Sequence, residues 1–186
     1  MAHKLANETW ATILGCILDV PDVDFISCET LSGPFSWHDY SNADVLLVCK
    51  RWLQIATPLV FHTCIIRSTA QAQALDDVLR ENPEFGTLIE QLRLEGCYGA
   101  SVANILKKAT RLQDLAITLP ASSDDNGKPL FAVLDTLKPR RLIVCNSPSN
   151  IGEVQAQFAL TALRSFIKTC YTLVCALNTV KIYQMN

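Results

Sequence analysis

Few residues in this sequence have both the type and the spacing that enzyme chemistry requires. Cys49 and His62 could act as a nucleophile and its base. However, Cys49 lies in the middle of a predicted apolar helix, which favours a buried and inert thiol. Asp124 and Asp125 are adjacent carboxylates with no histidine or further acid nearby in the sequence, so we assign them to a solvated loop. These residues predict a chain that is not an enzyme and has no catalytic site.

Two glycine-containing segments have only part of an anion-binding pattern. Gly127-Lys128 lacks the earlier glycine and the later hydroxyl residue of a phosphate loop, because Ser122 and Pro129 occupy those positions. Residues 96–99, GCYG, follow a predicted strand and precede a predicted helix, where backbone N–H groups can hold an anion. Glycines at such a place also suit a plain tight turn, which is the interpretation we favour.

The cysteines, the net charge and the hydropathy argue against several other classes of function. The eight cysteines include no Cys-x-x-Cys, and the three histidines have no metal-ligand spacing, so we expect neither a metal nor another cofactor. A net charge of -2 gives no general attraction to nucleic acid or to an anionic membrane. Residues 171–180 form the most apolar late stretch and are too short to span a bilayer. These features predict a reduced intracellular protein, cytoplasmic or nuclear.

The first part of the chain has the pattern of a small helical unit. Apolar residues three or four positions apart predict a helix between Asn7, its N-cap, and Pro21. Residues 19–44 show no clear period and predict a long loop with one short helical turn. A second helix is predicted over residues 42–56, and Thr57-Pro58 closes it because a residue before proline avoids helical angles.

Predicted strands and helices alternate from residue 58 onward. The strands are rich in β-branched and other apolar residues and cover residues 59–66, 91–96, 112–119, 140–146 and 177–185. The helices have apolar residues at helical spacing or are rich in alanine, and they cover residues 69–81, 101–109, 129–137 and 153–170. This alternation predicts an α/β fold.

The predicted strands recur at a nearly constant interval. Ile66, Leu94, Ile117 and Val144 occupy equivalent positions and are separated by roughly 20 to 29 residues, the length of a leucine-rich repeat. A unit of that size cannot bury its own apolar face, so neighbouring units must stack. We therefore expect a short, irregular leucine-rich-repeat-like solenoid of strands and helices. An ordinary α/β sheet is the alternative, because most units lack the asparagine of the strict repeat.

Two segments of the helical unit resemble the F-box. Residues 5–14, LANETWATIL, resemble its opening, Leu-Pro-x-Glu followed by apolar positions. Residues 44–52, DVLLVCKRW, resemble its end, for which Leu-x-x-Val-(Cys or Ser)-(Lys or Arg)-x-Trp is typical. The chain resembles F-box-like proteins of the fungal type, in which a leucine-rich-repeat-like region follows. The resemblance implies an F-box-like helical domain over residues 1–57 and a leucine-rich-repeat-like region over residues 58–186. The last predicted element is not followed by a capping repeat, so we expect either an exposed edge strand or a truncated relative.

The resemblance also implies a function. An F-box binds the Skp-type linker subunit of a cullin-RING ubiquitin ligase, and the region after it recruits the target protein that the ligase modifies. Such a protein is an adaptor and performs no chemistry itself. The residues that the resemblance assigns to the linker-binding face are Leu5, Trp10, Ile13, Leu14, Leu47, Val48, Cys49 and Trp52.

The chain departs from the family pattern at three places. Ala6 replaces the usual proline, Thr9 occupies a usually apolar position, and the loop 19–44 is longer than usual. Two other functions therefore stay open. One is an interaction module outside any ubiquitin ligase, including a truncated inactive F-box relative, and the other is an α/β enzyme whose site the sequence does not reveal. The sequence also leaves open whether Val48 and Trp52 face a partner or the chain's own core.

Overall fold

The computed structural model of the chain describes residues 5–26, 42–119, 128–134, 136–146, 172–176 and 183–184. Its helices are α1 (Asn7–Leu18), α2 (Asp22–Ile26), α3 (Lys50–His62), α4 (Thr69–Glu81), α5 (Gly99–Lys108) and α6 (Lys128–Leu134), with 3-10 helices at Asn42–Leu47 and Pro83–Leu88. Its strands are β1 (Thr63–Ile66), β2 (Gln91–Leu94), β3 (Asp114–Leu119), β4 (Arg141–Asn146), β5 (Thr172–Ala176) and β6 (Tyr183–Gln184). Together these elements form a mixed α/β fold, as the sequence predicts.

The first five strands run parallel and stand in chain order within one sheet, and β6 pairs antiparallel with β5. The ladder pairs Ile66 with Leu94, Leu94 with Ile117 and Ile117 with Val144, so the residues aligned by their spacing lie side by side. Val144 pairs in turn with Cys175. Because crossovers between parallel strands are right-handed, strands in chain order place their connecting helices on one face of the sheet.

Both faces of the central strands are buried. Successive side chains of a strand point to opposite faces of the sheet. Leu92, Leu115 and Leu142 form one row across β2 to β4, and they are completely buried in the main core with residues of α4, α5 and α6. The next row includes Ala116 and Ile143, which are buried in a separate cluster with residues that follow α1. Helices α4, α5 and α6 therefore cover one face of the sheet, and the residues that follow α1 cover the other.

The helical unit has its own small core. Helix α1 packs against α3, and α3 also packs against the 3-10 helix Asn42–Leu47. The buried residues of this core are Leu14, Leu18 and Ala56, and partly buried residues around them are Val45, Leu46, Trp52, Ile55, Leu59 and Val60. The core joins the two segments that lie on either side of residues 19–44 in the sequence.

Pro58 does not end the second helix, contrary to the sequence prediction. Helix α3 continues through it to His62, and β1 therefore begins at Thr63 and not at residue 59. Proline removes one backbone hydrogen bond from the helix. The packing of Leu59 and Val60 into the helical core offsets this loss. Next to the proline, the Thr57 hydroxyl donates to the carbonyl of Leu53 at 2.5 Å.

The start of the second helix also differs from the prediction. The 3-10 helix ends at Leu47, and α3 begins at Lys50 after a break in the helical conformation. Cys49 is the N-cap of α3, and its sulfur accepts a hydrogen bond from the backbone N–H of Trp52 at 3.5 Å. Cys49 is exposed, so the expectation of a buried thiol inside a continuous helix is wrong.

Several other predicted elements can be compared with the structure. The predicted helix over residues 69–81 is confirmed as α4, with Ser68 as its N-cap. The last parallel strand is Thr172–Ala176, whereas the prediction placed a last strand at residues 177–185; the described part of that range, Tyr183–Gln184, is the antiparallel strand β6. The predicted helix over residues 153–170 lies outside the described residues. None of the helices in the described ranges has the length and apolar character needed to cross a membrane.

Gly86 makes a close backbone contact with the last turn of α5. A Cβ atom at this position would lie 2.6 Å from the carbonyl oxygen of Lys108 and 2.9 Å from its carbonyl carbon. The main chain of a packed helix cannot move away without disturbing the core. We expect Gly86→Ala to lower the free energy of unfolding by about 1–3 kcal/mol, measured by urea denaturation.

Gly15 provides the matched control, because a Cβ atom there would meet nothing within 4 Å. We expect Gly15→Ala to leave the free energy of unfolding unchanged or to raise it by roughly 0.5–1 kcal/mol, since glycine is unfavourable inside a helix. Equal stability of the Gly86→Ala variant and the wild type would contradict the close contact between the second 3-10 helix and α5.

Candidate protein-binding surfaces

The N-terminal ends of α1 and α3 lie side by side. The rings of Trp10 and Trp52 contact each other with their centroids 5.1 Å apart and their planes inclined at 54°. Beside them, the guanidinium of Arg51 donates to the side-chain oxygen of Asn7 at 2.8 Å and to the carbonyl oxygen of Leu5. These contacts bring the two segments that resemble the F-box to one end of the helical unit.

Apolar side chains are exposed at this end of the helical unit. Leu47 is 83% exposed and Val48 is 60% exposed, and three further residues are between 38% and 45% exposed: Leu5, Ile13 and Leu53. We call these five residues the apolar end surface. Burying one large apolar side chain is worth about 1.5–3 kcal/mol, so a partner that covered this surface would gain substantial free energy. Clustered exposed apolar residues are typical of protein interaction sites.

Three of the predicted linker-binding residues lie partly or wholly inside the helical unit. Leu14 is completely buried in the helical core, so a partner cannot reach it, and the structure corrects its assignment to the binding face. Trp10 and Trp52 are half-buried against each other and expose only part of each ring. The sequence left open whether Val48 and Trp52 face a partner or the chain's own core. In the structure Val48 faces solvent, whereas Trp52 packs on the core.

Two apolar residues that the sequence did not mark as surface residues, Ile17 and Leu53, are exposed. Ile17 is 66% exposed, whereas helical spacing marked it only as one of the apolar residues on one face of α1. Its position one turn after Ile13 was the available signal, because residues four apart share one helix face. Leu53 is adjacent to Trp52 but points to a different side of α3, and no motif position marked it.

The structure separates the thiol and imidazole that could have formed a catalytic pair. Cys49 caps the start of α3 and His62 ends it, which places them roughly 20 Å apart along the helix axis. His62 instead lines a cleft of about 320 Å³ between α1 and α3, together with Cys16 and Asp19. Within the part of the chain that the structure describes, no cluster of His, Cys, Asp and Glu could hold a metal ion.

A second candidate surface begins with a row of polar residues across the sheet. The first residues of β1 to β4 stand in register: Thr63, Gln91, Asp114 and Arg141. The Thr63 hydroxyl donates to Gln91 Oε1 at 2.9 Å, and Gln91 Nε2 donates to Asp114 Oδ2 at 3.0 Å. Arg141 Nη2 donates to the same Asp114 oxygen at 2.8 Å. We call these four residues the polar row. It lies on the face of the sheet opposite α4, α5 and α6.

Residues 20–26, which include α2, cover this same face, and we call them the strap. Phe25 is completely buried, and with Val20 it packs against Ala116 and Ile143 of the sheet. The aromatic ring thus fills the apolar centre of the face. The sequence placed this segment in a loop, because five residues are too few to show a helical period and a single aromatic residue does not reveal where it packs.

Arg93 joins the strap to the centre of the sheet. Its Nη1 atom donates to the carbonyl oxygens of Asp24 at 3.0 Å and Phe25 at 2.9 Å. Its Nε atom donates to Glu95 at 3.1 Å. Burial lowers the pKa of Arg93, and the neighbouring Glu95 carboxylate offsets part of this effect. The side chain satisfies carbonyl groups at the end of a short helix that have no partner within that helix.

Arg141 joins the strap to the edge of the polar row. It donates from Nη1 to Asp22 Oδ2 at 3.0 Å while Nη2 binds both Asp22 and Asp114. The hydrogen bonds that Arg141 donates to Asp22 raise the pKa of Arg141 above its ordinary value, so the guanidinium stays charged. The hydrogen bonds from Arg141 hold the pKa of Asp22 below its ordinary value. Asp22 and Arg141 therefore form a charged tether between strap and sheet.

Comparison with known proteins does not extend this description: no family model matches the chain, and neither a curated protein nor a solved structure shows significant similarity to it. Functional conclusions therefore depend on the two surfaces of the chain itself, the apolar end surface and the strap-covered sheet face.

The Asp22–Arg141 tether predicts a pH-dependent stability. Because the pKa of folded Asp22 is lowered, the pair stabilises the fold above roughly pH 4, the ordinary value for Asp, and this contribution is lost as the pH falls through the folded-state pKa. Asp22 is 57% exposed, so we expect Asp22→Asn to lower the free energy of unfolding by only about 0.2–1 kcal/mol near neutral pH. The difference should shrink in urea titrations at acid pH. A difference that does not change with pH would contradict the tether.

Proposed function

We propose that this protein is a substrate-recruiting adaptor of a Skp-cullin-F-box ubiquitin ligase. In this proposal, the helical unit is an F-box-like domain that binds the Skp-type linker subunit, and the α/β region is a leucine-rich-repeat-like solenoid that binds the target. The protein acts inside the cell, carries no cofactor and performs no chemistry itself, because the ligase supplies the reaction.

The exposure of Leu47 and Val48 is the observation that carries the proposal. They are 83% and 60% exposed, and they lie in the segment that resembles the end of an F-box. The contact between Trp10 and Trp52 holds the opening segment beside it. Residues matched to the family by sequence alone are thus adjacent in space and offer an apolar surface to a partner. Interfaces of this kind depend on a few large apolar and aromatic residues.

The backbone at Ala6 supports the F-box resemblance despite the missing proline. Ala6 has φ -63° and ψ 159°, and it is the N-cap of α1. Proline fixes φ near −65°, so Ala6 has the conformation that the family's proline would impose. The substitution therefore leaves the direction in which the chain enters α1 unchanged. Thr9 is exposed on the surface of α1, where its hydroxyl is compatible with solvent.

The strand order supports a stacked repeat over an ordinary α/β sheet. A doubly wound sheet reverses its strand order at a switch point, where its ligand binds. Here β1 to β5 follow one another without a reversal, as expected when each strand–helix unit stacks on the previous one. The sheet therefore has no switch-point crevice among its described strands, which weighs against the enzyme alternative. An interaction module outside any ligase would use the same surfaces, and linker binding distinguishes the two functions.

The apolar end surface gives a direct test of linker binding. We expect the double variant Leu47→Ser, Val48→Ser to bind a purified Skp-type linker subunit at least about tenfold more weakly than the wild type, because losing two interface residues costs more than roughly 1.4 kcal/mol. The measurement is isothermal titration calorimetry of the full chain. Both residues are exposed, so the thermal unfolding temperature should change little.

The double variant Val23→Ser, Val78→Ser is the matched control. It removes two apolar side chains that are 69% and 36% exposed but lie outside α1, α3 and the 3-10 helix between them. It should bind the linker as the wild type does. Substitution of Trp10 and Trp52 is less informative, since both rings also pack within the helical unit. Failure of the wild-type chain to bind the linker, or equal affinity for all three proteins, would overturn the proposal.

A further inference from the structure

The strap binds the sheet face through three separate contacts, each of a different chemical type. The Asp22 carboxylate accepts hydrogen bonds from Arg141 at the polar row. The Phe25 ring packs on the apolar centre formed with Ala116 and Ile143. The carbonyl groups at the end of α2 accept hydrogen bonds from Arg93. A carboxylate, an aromatic ring three residues later and the end of one helical turn are thus recognised together.

The face and the strap leave two buried polar atoms without a hydrogen-bond partner among the described residues. These atoms are Asp114 Oδ1 and Arg141 Nε, and they belong to two side chains that are already joined at 2.8 Å through Asp114 Oδ2 and Arg141 Nη2. Arg141 shares its guanidinium with Asp22, which is the arrangement that leaves Nε unpaired. Without Asp22, Arg141 could bind Asp114 side-on through both oxygens, a favourable bidentate geometry. Departure of the strap would therefore free Arg141 to make a second hydrogen bond to Asp114.

The strap itself is short and its edge is accessible. Helix α2 has five residues, Asp22 is 57% exposed and Val23 is 69% exposed. It is attached to the sheet by Phe25 with Val20 beside it and by the two arginines. A competing segment with the same three features could replace it contact by contact.

We propose that the strap-covered sheet face is the target-binding site, and that its partner is a protein segment with a carboxylate three residues before a phenylalanine in a short helical turn. The strap occupies the site as an intramolecular competitor. This inference rests on the proposed adaptor function for calling the partner a target. It does not involve the apolar end surface, so linker binding and segment binding can fail independently.

A peptide with the sequence of residues 19–26, DVPDVDFI, carrying a fluorescent label, is the probe. Its binding to the full chain is measured by fluorescence anisotropy for the wild type, Asp22→Asn, and Asp22→Asn with Phe25→Ala. When the strap occupies the site, the apparent affinity for the peptide equals the intrinsic affinity multiplied by the fraction of molecules in which the site is open. We expect the double variant to bind the peptide at least about tenfold more tightly than the wild type, and the single variant to lie between them.

Two controls test whether the binding uses the proposed contacts. A peptide that carries Asn and Ala at the positions of Asp22 and Phe25 should not bind. Adding Arg141→Gln to the single variant should remove most of the gain in affinity, because the carboxylate then has no cationic partner.

Circular dichroism shows whether the double variant folds. If it does not fold, the single variant Asp22→Asn still tests the proposal. Asp22 is largely exposed, so the single variant should keep the fold, and its affinity is then compared with that of the wild type. Equal affinity of the wild type and the folded variants would overturn the proposal. The proposal would also be overturned if the peptide did not bind, or if the two peptides bound equally. The strap would then be a permanent part of the fold.

Discussion

Strands β1 to β4 run parallel and in register. Because successive side chains of a strand point to opposite faces, every second side chain lies on the face of the sheet that α4, α5 and α6 do not cover. On that face this constraint places Asp114 and Arg93 in the middle of the sheet, where each is almost completely buried. An unpaired buried charge costs several kcal/mol, so the face needs partners for both residues. The polar row provides them for Asp114, and Glu95 with the carbonyl groups of the strap provides them for Arg93. The covering of this face is thus a consequence of the sheet's register.

Helix α3 connects the two candidate surfaces. It begins directly after Leu47 and Val48 of the apolar end surface and ends at His62, next to Thr63 of the polar row. The helix continues through Pro58 without a break, so no linker separates the helical unit from the first strand of the sheet. The proposed adaptor would use this geometry, because a target bound on the sheet would be held at a defined distance from the apolar end surface. The predicted division at residues 57 and 58 falls inside this helix.

The sequence predicted the sheet better than the helical unit, for physical reasons. The recurrence of Ile66, Leu94 and Ile117 reproduced the strand register, since each position must fill the same site in successive layers of the core. By contrast, Pro58 is a strong helix breaker by local rules, and only the packing of the residues after it shows why α3 continues. The burial of Arg93 and Phe25 was equally hidden, because each depends on the other across a long separation in sequence.

For the apolar end surface, too, the sequence did not show which single residues are buried and which are exposed. Family resemblance selected eight residues, but it could not separate Leu14, which supports the surface from inside, from Leu47 and Val48, which form it. Helical spacing identified the apolar residues of α1, but it could not show that Ile17 among them is exposed. Leu47 and Val48 lie just before the break at which α3 begins with Cys49 as its N-cap, and the sequence did not reveal that break.

Amide hydrogen exchange of the full chain, with and without a purified Skp-type linker subunit, tests the central claim most directly. The adaptor account predicts slower exchange in the segments around residues 5–13 and 47–53 when the linker is present, with the strands and α4 and α5 unchanged. Unchanged exchange throughout the chain at saturating linker, or slower exchange confined to the sheet and its helices, would contradict it.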